Sequence, residues 1–319
     1  MERNKQIDIS KGIAIILMIL GHSFILTANW TNFFFKFVYS FHMPLFIIFS
    51  GYYFKIGGGG GGILKKNLKL IKPYLITALV GCIILSVFSI DDALRYAKGC
   101  IVGTVGSPVS KIRFYTWQAG AIWFLLALFW CKVYFALIVK YLNRWWLEAS
   151  VFLSLIFIFI CYNFINIPLC IGAGFTFLIF YAIGLFLHRI DINAIKHRWL
   201  IYLFWFVSLY YTTLNTAQYT YDILPLSILG AVCGTITIYD LSYHIKGYFA
   251  KFLTYAGKNT LLILCCHSVA WATKDTILTS LGYDKTEAFS NDIAFLKLTI
   301  LYFLVLYLTN KSILKCFKS

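Results

Sequence analysis

Apolar residues run along this chain in long blocks separated by short polar clusters. A helix that crosses a bilayer needs about 20 mostly apolar residues. Ten blocks approach that length: 9–29, 33–54, 72–90, 118–139, 147–163, 170–188, 199–214, 222–241, 258–274 and 294–310. The pattern predicts an all-α, polytopic membrane helix bundle of about ten transmembrane helices. Several blocks are interrupted around Pro44, Gly172, Gly174, Pro225, Gly230 and Gly234. Such breaks are tolerated where neighbouring helices or a cavity satisfy the freed backbone groups. The longest stretches between blocks are 91–117 and 275–293. No internal repeat is visible, and residues 1–319 read as one integral-membrane domain.

Composition removes the alternatives. Of 319 residues, 61% are hydrophobic and 13% charged, against about 45–50% and about 25% in soluble domains. Mean hydropathy is +0.79. An aromatic content of 19% excludes intrinsic disorder. The nine cysteines are scattered and form no CxxC pair, which argues against a disulfide scaffold and against a metal or redox centre.

The net charge of +16 suggests nucleic acid at first sight. Membrane topology explains it better, because basic residues collect in cytoplasmic loops. With a cytoplasmic N-terminus, nineteen of the 28 Lys and Arg fall on the inner side and eight on the outer, with Lys132 inside a span. That split predicts both termini in the cytoplasm and no nucleic-acid partner. The first block is expected to be a retained helix, since Asp8 and Lys11 intrude on it and no small-residue cleavage site follows. Gly57–Gly62 reads as a flexible spacer with a reach of roughly 13 Å. No Gly-Lys-Ser/Thr follows it, so it is no phosphate loop.

Ionisable groups inside a span are expensive and point to function. At about 100° per residue, Lys11 and His22 fall about 20° apart on the first helix, and Asp8 joins the same stripe. His22 lies about 16 Å along the axis from Lys11. The second helix runs the other way and places His42 about 14 Å deep, and His267 lies about 14 Å from Lys258 on the ninth. Three histidines thus share one predicted depth. His188, His197 and His244 fall in predicted cytoplasmic loops. Two plainer roles stand beside this one: interhelical hydrogen bonding for the histidines, and interfacial anchoring by snorkelling for Asp8 and Lys11.

Five motifs in order carry a resemblance. They are Ile7-Asp8-Ile9-Ser10-Lys11-Gly12 leading to Leu20-Gly21-His22; Phe41-His42-Met43-Pro44-Leu45-Phe46 leading to Phe49-Ser50-Gly51-Tyr52; the basic run Lys65 to Lys72 ending in Lys72-Pro73-Tyr74; Ile122-Trp123-Phe124-Leu125; and Gly257-Lys258-Asn259-Thr260-Leu261 leading to His267. In these the chain resembles the acyltransferase-3 family of integral-membrane O-acyltransferases, and within it the fucose 4-O-acetylase-like branch. It departs from the family in Lys for Arg in the cytoplasmic run, Thr260 where Ser is commoner, and the polyglycine loop.

The resemblance implies a multi-pass enzyme of a bacterial-type cytoplasmic membrane. Acetyl-CoA is the implied acyl donor, with no metal. The implied acceptor is a carbohydrate hydroxyl, on a surface polysaccharide or its lipid-linked precursor. Acyl transfer needs a base for the hydroxyl proton and donors for the developing oxyanion. Histidine suits the first task because its ordinary pKa is near 6.5. His22 is then the general base or a transient acyl acceptor. His42 orients it or stabilises charge, Asp8 fixes Lys11 at i+3, and His267 is a third catalytic candidate. Lys11, Lys69 and Lys72 are expected at the phosphates of coenzyme A, where lysine acts as a point charge. Ser50, Tyr52, Trp123 and Asn259 are candidate substrate-lining residues. A transporter or flippase is the rival class, since midplane charges and broken spans also describe carriers.

Overall fold

A computed structural model describes residues 4–23, 31–55, 67–103, 119–165, 167–282 and 296–304. The first two helices follow the sequence closely: α1 spans Lys5–Ser23 and α2 Thr31–Tyr52, the latter continuing through Pro44. A 3-10 turn, Leu68–Leu70, leads into α3, Ile71–Phe88. Helix α3 ends where Ser89 turns extended, and the Ser89 side chain accepts a 3.2 Å hydrogen bond from the Asp92 amide. That cap starts α4, Ile90–Val102, which closes on left-handed Gly103.

Helices α5 (Trp123–Tyr141) and α6 (Trp146–Asn163) match two predicted spans. The block 170–188 becomes a broken pair, α7 (Ile171–Thr176) and α8 (Leu178–Ile190), bent by 44° with its preceding turn. Helix α9 covers Arg198–Tyr211. A short antiparallel hairpin follows, β1 (Leu214–Asn215) with β2 (Thr220–Tyr221). Then come α10 (Leu224–His244), α11 (Gly247–Lys258) and α12 (Thr260–Ser280), and residues 296–304 form α13.

Among the described residues, six helices are long and apolar enough to cross a membrane, and seven if the bent pair is one span. The expected ten is reached only in part, for local reasons. Helix α9 has 14 residues, a rise of about 21 Å, short of a full crossing. The outer parts of blocks 9–29 and 294–310, and the Gly57–Gly62 run, lie outside the described residues. Two helices, α4 and α11, stand where loops were expected. Each is amphipathic: α4 buries Ala93, Tyr96 and Cys100, and α11 buries Ala250, Leu253 and Ala256.

The described residues gather into two units. The first comprises Met1–Gly58, Tyr134–Phe159 and Phe175–Thr260. In it α2 packs against α1, α8 and α10. Backbone meets backbone between α2 and α8, where a Cβ on Gly51 would fall 2.0 Å from the Tyr181 carbonyl oxygen. The second comprises Gly59–Val133, Ile160–Gly174 and Leu261–Ser319. In it α3 packs on α4, and the Tyr74 hydroxyl donates to the Cys100 carbonyl at 2.6 Å.

Candidate active site

The first unit holds most of the expected site. Helices α1 and α2 lie antiparallel, touching at both ends. At one end a Cβ on Gly21 would sit 3.1 Å from Val38 Cγ1 and 3.7 Å from Tyr39 Cε2. Lacking that atom, α1 closes on α2 right beside His22. The His22 ring meets the edge of Tyr39, centroids 6.1 Å apart, and Tyr39 meets His42 at 4.8 Å. The structure therefore places both histidines against one tyrosine.

His42 is buried, and its Nδ1 lies 2.8 Å from the Val38 carbonyl oxygen. A carbonyl only accepts, so this contact assigns the proton to Nδ1. The neutral ring then carries its lone pair on Nε2, the nitrogen available as base or acceptor.

At the other end of the pair, Lys11 Nζ stands 5.9 Å over the Tyr53 ring. Eleven residues separate Lys11 from His22, about 16 Å along α1, and Tyr53 directly follows the last residue of α2. Asp8 is buried at 4% exposure in the first turn of α1. Its backbone is held by α11: a Cβ on Gly257 would fall 1.7 Å from the Asp8 carbonyl oxygen, and one on Gly12 would fall 2.1 Å from the Leu253 carbonyl oxygen. Ile9, Ala250 and Leu253 fill the contact between them. Two motif glycines, one from the first motif and one from the fifth, thus form a single backbone seam.

A polar group surrounds the lysine end. The Tyr52 ring packs on His188 at 4.7 Å, which places His188 in the last turn of α8 and not in a loop. Asn4 Nδ2 donates to the Tyr239 hydroxyl at 3.4 Å, and that hydroxyl shares a 2.8 Å hydrogen bond with Tyr243. Arg198 pairs with Asp240, and the Tyr202 hydroxyl donates to the same carboxylate at 2.8 Å. Arg198 Nη2 also donates to the Ile192 carbonyl at 2.7 Å. Of the lining candidates, Ser50 is half-buried on α2. Asn259 closes the end of α11, its Nδ2 donating to the Tyr255 carbonyl at 2.8 Å.

The remaining candidates belong to the second unit. His267 is fully buried on α12. Its neighbour Ser268 accepts a 3.2 Å hydrogen bond from the Ile122 amide, which ties the fourth motif and buried Trp123 to the histidine-bearing helix. Lys69 and Lys72 are exposed around the first turn of α3.

Sequence reasoning passed over Tyr39 and the Arg198–Asp240 pair, and named Gly257 only within a motif. The signal for Tyr39 was its place one turn before His42, hidden by 22 tyrosines and 30 phenylalanines.

Two relatives match parts of the chain. One is a nodulation protein NolL of Mesorhizobium japonicum, 32% identical over 122 residues, which covers 32% of this chain and 31% of the relative. The other is a nodulation protein NolL of Sinorhizobium fredii, 46% identical over 56 residues, covering 16% and 15%. The match thus spans less than a third of either relative's length. No solved structure matches the chain. The acyltransferase-3 family, an acyltransferase domain, matches residues 4–310, nearly the whole length with all five motifs, and the chain belongs to that family.

Proposed function

We propose that the protein is a multi-pass membrane O-acetyltransferase, ten-spanning with both termini cytoplasmic. It takes the acetyl group from cytoplasmic acetyl-CoA and delivers it to a hydroxyl of a surface carbohydrate or its lipid-linked precursor. The observation that carries the reading is that His22 and His42, on two helices, both pack on Tyr39, about 16 Å along α1 from Lys11. One end of the α1–α2 pair thus offers bases and the other a cation.

In this reading Lys11, Lys69 and Lys72 supply positive charge for the phosphates of coenzyme A. The thioester arm lies along the α1–α2 pair toward the histidines. His22 accepts the proton of the acceptor hydroxyl as its oxygen attacks the thioester carbonyl. The new carbon–oxygen bond forms, the carbon–sulfur bond breaks, and the proton passes to the departing thiolate. His42, with its ring fixed through Nδ1, steadies the charge that develops on His22. His267 is the third catalytic histidine of this reading.

The test uses purified protein in lipid nanodiscs with labelled acetyl-CoA and a glycan acceptor. Free thiol and acetylated glycan should appear together, and His22→Ala should abolish both while thermal unfolding stays near that of the parent. Full activity in that variant would refute the assignment. Solute flux in vesicles without thiol release would establish the carrier reading instead.

A further inference from the structure

Tyr39 packs on both histidines, and its ring stacks on Phe35 as well. It packs on His42 with centroids 4.8 Å apart at 73°, and on His22 at 6.1 Å and 61°. Both contacts are edge-to-face, the arrangement that π-systems prefer over a parallel sandwich. Phe35, one turn earlier on α2, stacks on the same ring at 3.8 Å and 24°. The ring also lies beside the backbone of α1, its Cε2 3.7 Å from where a Cβ on Gly21 would be, an ordinary contact distance. Among the described residues the Tyr39 hydroxyl makes no hydrogen bond.

We propose that Tyr39 is a positioning residue for the histidine pair, acting through its ring. This rests on the reading of His22 and His42 given above. The two imidazoles come from separate helices, and His22 stands close to the end of α1. Its tilt toward the reacting atoms therefore needs a partner that is itself fixed. Phe35 braces the ring, and the ring packs on His22 and on His42, which is also held through Nδ1. Without the Tyr39 ring, His22 loses a contact that helps to orient it while its helix stays in place. Misplacement of a catalytic group by about 1 Å costs about 100-fold in rate.

The experiment compares Tyr39→Phe, Tyr39→Leu and Tyr39→Ala in nanodiscs, alongside His22→Ala. Tyr39→Phe should recover most of kcat. Tyr39→Leu and Tyr39→Ala should lower kcat by about 10- to 100-fold, with KM for acetyl-CoA within about twofold of the parent. A parallel rise in KM would mark general disruption and overturn the proposal. So would a Tyr39→Phe variant as damaged as Tyr39→Ala, because the hydroxyl would then be the working group. If Tyr39→Ala does not fold, Tyr39→Leu, which keeps most of the volume, decides the matter. Loss of activity in His22→Ala with full kcat in Tyr39→Leu overturns the role of Tyr39 alone. Retained activity in His22→Ala overturns the reading beneath it.

Discussion

Alanine at Gly257 is the sharpest available perturbation of the contact between α1 and α11. The added carbon would sit 1.7 Å from the Asp8 carbonyl oxygen and 2.6 Å from its carbon. Ordinary contact begins at 3.4 Å, so the two backbones must part by about 1.7 Å. No side chain can swing away to absorb this, since the opposing atoms are main chain. Overpacking costs typically about 1–3 kcal/mol, and a backbone clash belongs near the top of that range. The separation also loosens the packing of Ile9 on Ala250 and Leu253. Lys11 rides on the displaced turn, so binding of acetyl-CoA should weaken together with stability. The assays are thermal unfolding in detergent and thiol-release kinetics across a range of donor concentrations. Gly247→Ala is the control on the same helix: its φ is +67 and nothing lies within 4 Å of the added carbon. It should cost only the left-handed backbone penalty, about 1–2 kcal/mol, and leave KM alone. Unchanged stability and KM in Gly257→Ala would refute the seam as a positioning device, as would an equal rise in KM in Gly247→Ala.

Two further outcomes are expected. Lys11→Gln should raise KM for acetyl-CoA about tenfold with little change in kcat, the loss of one charged contact to phosphate; an unaltered KM would remove Lys11 from the donor site. Asp240→Asn should destabilise the first unit by about 1.5–3 kcal/mol, because it strips charge from a carboxylate that holds both Arg198 and the Tyr202 hydroxyl. Thermal unfolding reads this directly, and parental stability in that variant would make the pair dispensable.

The helices that sequence located well are those carrying long apolar runs, such as α2, α5 and α10. Length of apolar run is a sufficient signal for them. Helices α4 and α11 escaped because their apolar residues share short segments with Asp91, Asp92, Arg95 and Lys98, or with Lys251 and Lys258. A window of about 20 residues averages such segments into loops. The histidine pair was legible because charge is scarce in the spans, so helical phase and depth were enough to align it. Its tyrosine was not legible, since one aromatic among many carries no phase information until the partner helix is placed. The seam was half legible: Gly12 and Gly257 stood in separate motifs, but only the folded chain shows that each meets the other's helix. Asn259 illustrates the opposite case, a motif residue whose contact in the fold is with the end of its own helix.

The eleven-residue interval between Lys11 and His22 has a consequence for how the chain can vary. One inserted residue would swing the histidine by about 100° and turn it off α2. Three or four would restore the facing but lengthen the interval by about 5 Å. Helix α1 thus behaves as a ruler graduated in whole turns. On the proposed function it measures the donor, setting the span from anchored phosphate to reacting carbonyl. A short acyl donor such as acetyl phosphate, whose charge sits beside its carbonyl, could satisfy only one end.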